Sequence, residues 1–112
     1  MILSFEFSIP RSTPALTPYK QIYDMGVNAR FLKGIKILIP EGHKGLARLR
    51  VSVAGTPIAP AQGSATQWIR GENSEVVIPL SLPVFGPPYN LFCEGYNEDS
   101  FLPHTFVITV EC

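Results

Sequence analysis

The sequence predicts an all-β protein, an antiparallel β-sandwich of seven to eight strands with jelly-roll-like or Greek-key connectivity. Three observations carry that expectation. Short segments alternate apolar and polar side chains with the period of two that a half-buried strand requires. Proline and glycine, 20 residues of 112, fall largely between those segments and punctuate the chain as turns. The segments themselves are rich in β-branched and aromatic residues, which suit a pleated surface better than a helix.

Residues 2–9 place Leu3, Phe5, Phe7 and Ile9 on one face and Ser4, Glu6 and Ser8 on the other, the pattern of a strand with one buried side. Pro10, Pro14 and Pro18 follow at a spacing of four. Each lacks an N–H, so residues 10–18 read as a crossing or arm and not as a central strand. Residues 19–25 form a second strand, closed by Gly26 and Asn28. Residues 29–39 give the third, with Ile35, Ile37 and Ile39 inward, Lys36 outward and Gly34 at an expected bulge.

A polar loop with two glycines, 40–45, leads into residues 46–53, where Ala47, Leu49, Val51 and Val53 face the core and Arg48, Arg50 and Ser52 face out. Residues 55–63 (GTPIAPAQG) read as a proline-bearing excursion, 67–70 (QWIR) as a short strand and 71–74 as a turn. Residues 75–80 are expected as a strand stopped by Pro79 or Pro83. In residues 89–96, Tyr89, Leu91 and Cys93 share a face opposite Phe92, and in the last strand, 104–111, Phe106, Ile108 and Val110 oppose Thr105, Val107 and Thr109. Between them Asn97, Glu98, Asp99 and Ser100 offer the side-chain acceptors of a tight reversal, with Phe101 and Leu102 expected to drop back towards the core. Residues 1–112 are expected to form one sandwich domain.

Composition narrows the function classes. Hydrophobic residues make up 46% and charged residues 16%, against roughly 25% charged in an average soluble domain, so a surface this poor in charge is expected to be covered by a partner. The apolar opening has no basic region before it and reads as a strand, not a signal peptide. No window approaches the roughly 18 apolar residues of a membrane span, so a soluble chain with no membrane partner is expected. Cys93 and Cys112 are expected as free thiols, the first within a strand and the second at the last position.

The formal charge is zero but unevenly placed: all nine bases lie between Arg11 and Arg70, and no Lys or Arg follows Arg70. Residues 1–70 carry +6 and residues 71–112 carry −6. Either the halves interleave and cancel locally, or the subunit is two-ended and meets its neighbours basic patch to acidic patch. A neutral chain without a dense basic run is a poor nucleic-acid binder.

No constellation of catalytic residues can be named. His43 and His104 fall in separate loops or strand ends, no Gly-x-Ser-x-Gly elbow occurs, and Cys93 reads as a buried small hydrophobe. No Cys-x-x-Cys or His-x-x-x-His pair suggests zinc. Residues 97–100 are oxygen-rich but lack the spacing of a calcium loop, and the adjacent Glu98 and Asp99 would diverge and not face one cleft. Catalytic, metal and cofactor sites are therefore all expected to be absent. The candidate interface residues are Arg48 and Arg50 on an outward face, Glu98 and Asp99 at an acidic tip, and Trp68. With Tyr89 and Tyr96, Trp68 could alternatively make an aromatic platform for a glycan.

Residues 39–46 (IPEGHKGL), 68–73 (WIRGEN), 87–89 (PPY), 95–99 (GYNED) and 103–105 (PHT) together carry a resemblance. In order and spread along the chain they resemble small β-sandwich virion proteins encoded in tailed-phage structural gene clusters. There a proline-glycine loop precedes Gly-Leu and a strand, a Trp precedes a glycine-acid turn, and Pro-Pro-Tyr precedes an aromatic-Asn-x-Asp turn and Pro-His-Thr. His43 departs from the pattern, which favours a cysteine or small residue at that place. The resemblance implies a non-enzymatic virion component, a capsid decoration or cement protein or a minor head or tail subunit. Its implied partners are copies of itself and other virion proteins such as the major capsid protein.

Overall fold

The computed structural model describes residues 1–60 and 68–112. They form eight strands and no helix: β1 (Ile2–Ile9), β2 (Tyr19–Asp24), β3 (Phe31–Ile39), β4 (Ala47–Val53), β5 (Thr56–Ala59), β6 (Ser74–Pro83), β7 (Asn90–Asn97) and β8 (His104–Glu111). One sheet has the order β1-β8-β3-β6 and the other β2-β7-β4-β5, and every pairing is antiparallel.

The pairs β1·β8, β2·β7, β3·β6 and β4·β5 are successive segments of one long antiparallel ribbon whose tip is the β4–β5 turn. Rolling the ribbon puts alternate segments into opposite sheets and adds the contacts β8·β3 and β7·β4. This arrangement is a jelly roll. Except at the β4–β5 tip, it pairs strands from residues 1–70 with strands from residues 71–112, a consequence that governs the electrostatics below.

Alternation sets the core. Phe7, Ile9, Ile35, Ile37, Ile39, Phe106, Ile108 and Val110 come from one sheet, and Ala47, Leu49, Val51, Leu91 and Cys93 from the other, all buried. Their alternate neighbours point outward, as the burial patterns of β4 and β8 show residue by residue. The register shifts between Leu32 and Gly34, two steps on β3 against three on β6, so the ladder is irregular next to Gly34 as expected but the extra residue lies on β6. Pro10 to Pro18 cross from the first sheet to the second; Ser12 N–H donates to the Asp99 carbonyl at 2.9 Å, and Thr13 bridges to Asn97. The segment is thus a crossing held on the body and not a free arm. Both cysteines are free thiols.

Four local expectations need correction. Residues 56–59 are a strand: Ala54 and Gly55 both have positive φ, 49° and 81°, and these make the two-residue hairpin turn that returns the chain along β4. Pro57 is tolerated because β5 is an edge. The strand expected over 67–70 is reduced to a bridge between Ile69 and Leu49; Gln67, like 61–63 of the excursion, lies outside the described residues. β6 runs through Pro79 to Pro83 because it too is an edge strand, with one side free of a ladder. Phe101 and Leu102 do not drop into the core: they are 80% and 59% exposed.

Candidate protein interface

The register of β4 against β7 places Arg48 opposite Tyr96, Arg50 opposite Glu94 and Ser52 opposite Phe92, all on the outer face. β2 adds Lys20 opposite Glu94 and Ile22 opposite Phe92. Arg50 Nη2 pairs with Glu94 Oε1 at 2.6 Å, and its guanidinium carbon sits 3.7 Å from the centroid of the Trp68 ring. Trp68 in turn meets Tyr96 edge-on, with centroids 4.8 Å apart and planes at 89°. Arg48 donates from Nη1 to the Tyr96 hydroxyl and pairs through Nη2 with Glu98 Oε1 at 2.8 Å.

Arg48, Arg50, Trp68 and Glu98 are therefore brought together, joined by Glu94 and Tyr96. Parity along β7 was a signal for Glu94, which alternates with Cys93; nothing in the spacing indicated that Trp68 would lie over it. Each arginine of the strip has an acidic partner in the chain. Arg48 and Arg50 from the basic half meet Glu98 and Glu94 from the acidic half, and Lys36 of β3 lies 3.8 Å from Glu75 of β6. At these positions the halves interleave, because the rolled ribbon pairs early strands with late ones.

Asp99 does not join the strip as an acidic tip. Its side chain is 12% exposed and turned into the β7–β8 connection, where Oδ1 accepts the N–H groups of Phe101 at 2.8 Å and Leu102 at 3.2 Å. Its Oδ2 lies 2.8 Å from His104 Nε2. The Phe101 N–H and the His104 ring hold this carboxyl below the usual carboxylate range. Asn97, buried at the end of β7, completes the turn: Oδ1 accepts the Asp99 N–H, and Nδ2 donates to the carbonyls of Leu102 and Ile9.

The three aromatics suggested for a glycan platform do not share one surface. Tyr89 precedes β7 and Tyr96 lies near its far end, roughly 24 Å of extended chain apart. Tyr89 packs against the core, Tyr96 is 7% exposed, and Arg50 lies over the Trp68 ring.

The face also carries two depressions. A cleft of about 200 Å³ is lined by Arg50, Glu94, Phe92, Pro57 and Pro60. A larger groove of about 480 Å³ runs past Ile22, Val53, Phe92, Val84, Phe85 and Pro88. Phe85 is 88% exposed at its rim. Other large apolar side chains stand out in the connections: Val27 with Phe85 at one end of the sandwich, and Leu16, Phe101 and Leu102 at the other.

Burial pushes the Cys93 thiol up to about 12, which removes it as a nucleophile near neutral pH. Among the described residues no group of three or more His, Cys, Asp or Glu could hold a metal, and no helix is long and apolar enough to cross a membrane. Comparison of the chain with family models, with curated proteins and with solved structures returns no match.

Proposed function

We propose that this protein is a non-enzymatic structural subunit of a virus or phage particle, a capsid decoration or cement protein or a minor structural subunit. It associates with copies of itself and with other virion proteins such as the major capsid protein. The observation that carries the proposal is the placement of exposed apolar side chains on a jelly roll whose interface arginines are neutralised within the chain. Jelly rolls serve as capsid and lectin domains, and a fold alone does not choose between such uses; the surface is what supports the first. Arg48 and Arg50 are already engaged by Glu98 and Glu94, whereas Phe85, Leu16 and Phe101 are left facing solvent at 88%, 96% and 80%. Apolar groups placed this way favour burial against another protein.

The test is assembly after removal of those groups. Phe85→Ser and Phe101→Ser, both at solvent-facing positions, should leave the unfolding midpoint nearly unchanged and reduce self-association, read by light scattering coupled to size exclusion. Undiminished association in both variants would remove the ends from the contact. Trp68 is the only tryptophan, so its fluorescence reports on the competing glycan reading. On the structural reading it stays constant across a broad glycan panel.

A further inference from the structure

We infer that the end of the sandwich formed by the β3–β4 and β7–β8 connections is a pH-sensitive latch whose trigger is His43. His43 lies in the β3–β4 connection and is 2% exposed; His104 opens β8 and is 6% exposed. Their rings are 4.6 Å apart between centroids, and His43 also meets Phe106 edge-on at 4.8 Å.

Hydrogen bonding fixes the state of His43. Its Nε2 lies 2.9 Å from the Thr105 carbonyl, which can only accept, so Nε2 carries the proton. Nδ1 is then the bare acceptor of a neutral ring. It is buried and has no hydrogen-bond partner among the described residues. A second proton at Nδ1 would create an imidazolium with a buried, unsatisfied N–H. It would also stand beside His104, whose own ring is committed to the Asp99 carboxylate at 2.8 Å.

The charged groups around His43 are few. From β8 it meets His104, and beyond that ring Asp99 of the β7–β8 connection. From the turn before β6 it feels Glu72, whose Oε1 accepts the Gly42 N–H at 2.6 Å and the Lys44 N–H at 3.4 Å. Its own loop contributes Glu41 and Lys44. Burial is the largest influence and lowers the affinity of His43 for a proton; the Thr105 carbonyl and Glu72 oppose it and His104 reinforces it, with a net lowering.

The linkage has a definite sign. In an opened loop His43 takes a proton at about pH 6.5, whereas in the closed loop it does so only at lower pH. Between those values the open form binds more protons, so closure is favoured above pH 6.5 and weakens as pH falls below it. What opens is specified by the bonds that hold the latch. Glu98 N–H donates to Leu46 O at 2.9 Å, Gly45 N–H to Gly71 O at 3.0 Å, and Leu46 N–H to His43 O at 2.9 Å. Expelling His43 strains these contacts at one end and leaves the ladders of the two sheets intact.

Hydrogen exchange of the full chain between pH 7.5 and 5.5, corrected for intrinsic exchange, reads the latch directly. Amides of residues 42–46 and 98–102 should open more at pH 5.5 than at 7.5, by up to about tenfold for one proton per opening, while core amides of β3 and β8 keep their protection. His43→Phe, which fills the ring's space without titrating, should abolish the change. A second readout needs no variant: in the wild-type NMR titration, the His43 ring resonances should shift only at pH values below the ordinary histidine range. Loop and core amides opening in parallel would overturn the latch. So would a His43 that titrates near pH 6.5 with no change in loop protection.

Discussion

Gly95 shows how tightly single residues are specified. It occupies an inward position of β7, and a Cβ there would collide with the Arg48 backbone carbonyl and the Ile9 side chain and crowd Phe7. The first partner is backbone and cannot move aside. Gly95→Ala should therefore destabilise by about 1–3 kcal/mol, the usual cost of overpacking, measured by urea unfolding. Asp99 gives a second prediction, in pH. Its folded-state affinity for a proton is lowered, so its contribution to stability is complete above about pH 3.8 and is lost as pH falls through the lower folded value. Asp99→Asn should flatten the acid limb of the stability profile in that window. A charge reversal at Asp99 would break the turn that Asp99 holds together, so it cannot serve as a test of an interface. Spacing alone could not separate Glu98, which reaches out to Arg48, from its neighbour Asp99, which folds in.

At the scale of elements, alternation made most strands legible. The inward sets of β3, β4 and β8 follow directly from period two, since one buried face leaves no other register. β5 was hidden because Pro57 and Pro60 mimic a loop, and only the left-handed pair Ala54-Gly55 reveals the hairpin. β6 was cut short in the sequence reading for a related reason: proline forbids a central strand but not an edge. Gly55 at φ 81° tests the hairpin assignment. Gly55→Val should cost roughly 1–2 kcal/mol, because a β-branched residue resists the left-handed region. Between strands, the Arg50–Glu94 pair joins side chains that are 26% and 20% exposed. A double-mutant cycle with Arg50→Met and Glu94→Gln should return a coupling of about 1 kcal/mol. A value near zero would leave the pair without a role in holding β4 to β7.

For the whole molecule, the decisive fact is how the ribbon rolls. Sequence order divided the charge into a basic first half and an acidic second half, and the first half pairs with the second in space. A division of +6 and −6 along the chain thus becomes cross-strand ion pairs such as Arg50–Glu94 and Lys36–Glu75. This was not legible beforehand because it depends on which strands neighbour which, a long-range property that local patterning does not encode. The partnership of His43 and His104, 61 residues apart, was hidden for the same reason. Large apolar side chains stay exposed at both ends, Phe85 and Val27 at one and Leu16, Phe101 and Leu102 at the other, and on the proposed reading these make the contacts. An apolar contact is weakly screened, whereas a contact between charged patches weakens as salt shortens the Debye length from about 10 Å at 0.1 M to about 3 Å at 1 M. The most direct test is sedimentation velocity of the full chain over a concentration series at 0.1 and 1 M salt. A sedimentation coefficient that rises with concentration equally at both salts is the result expected of an assembling subunit with apolar contacts. A single monomeric species, independent of concentration at either salt, would contradict it.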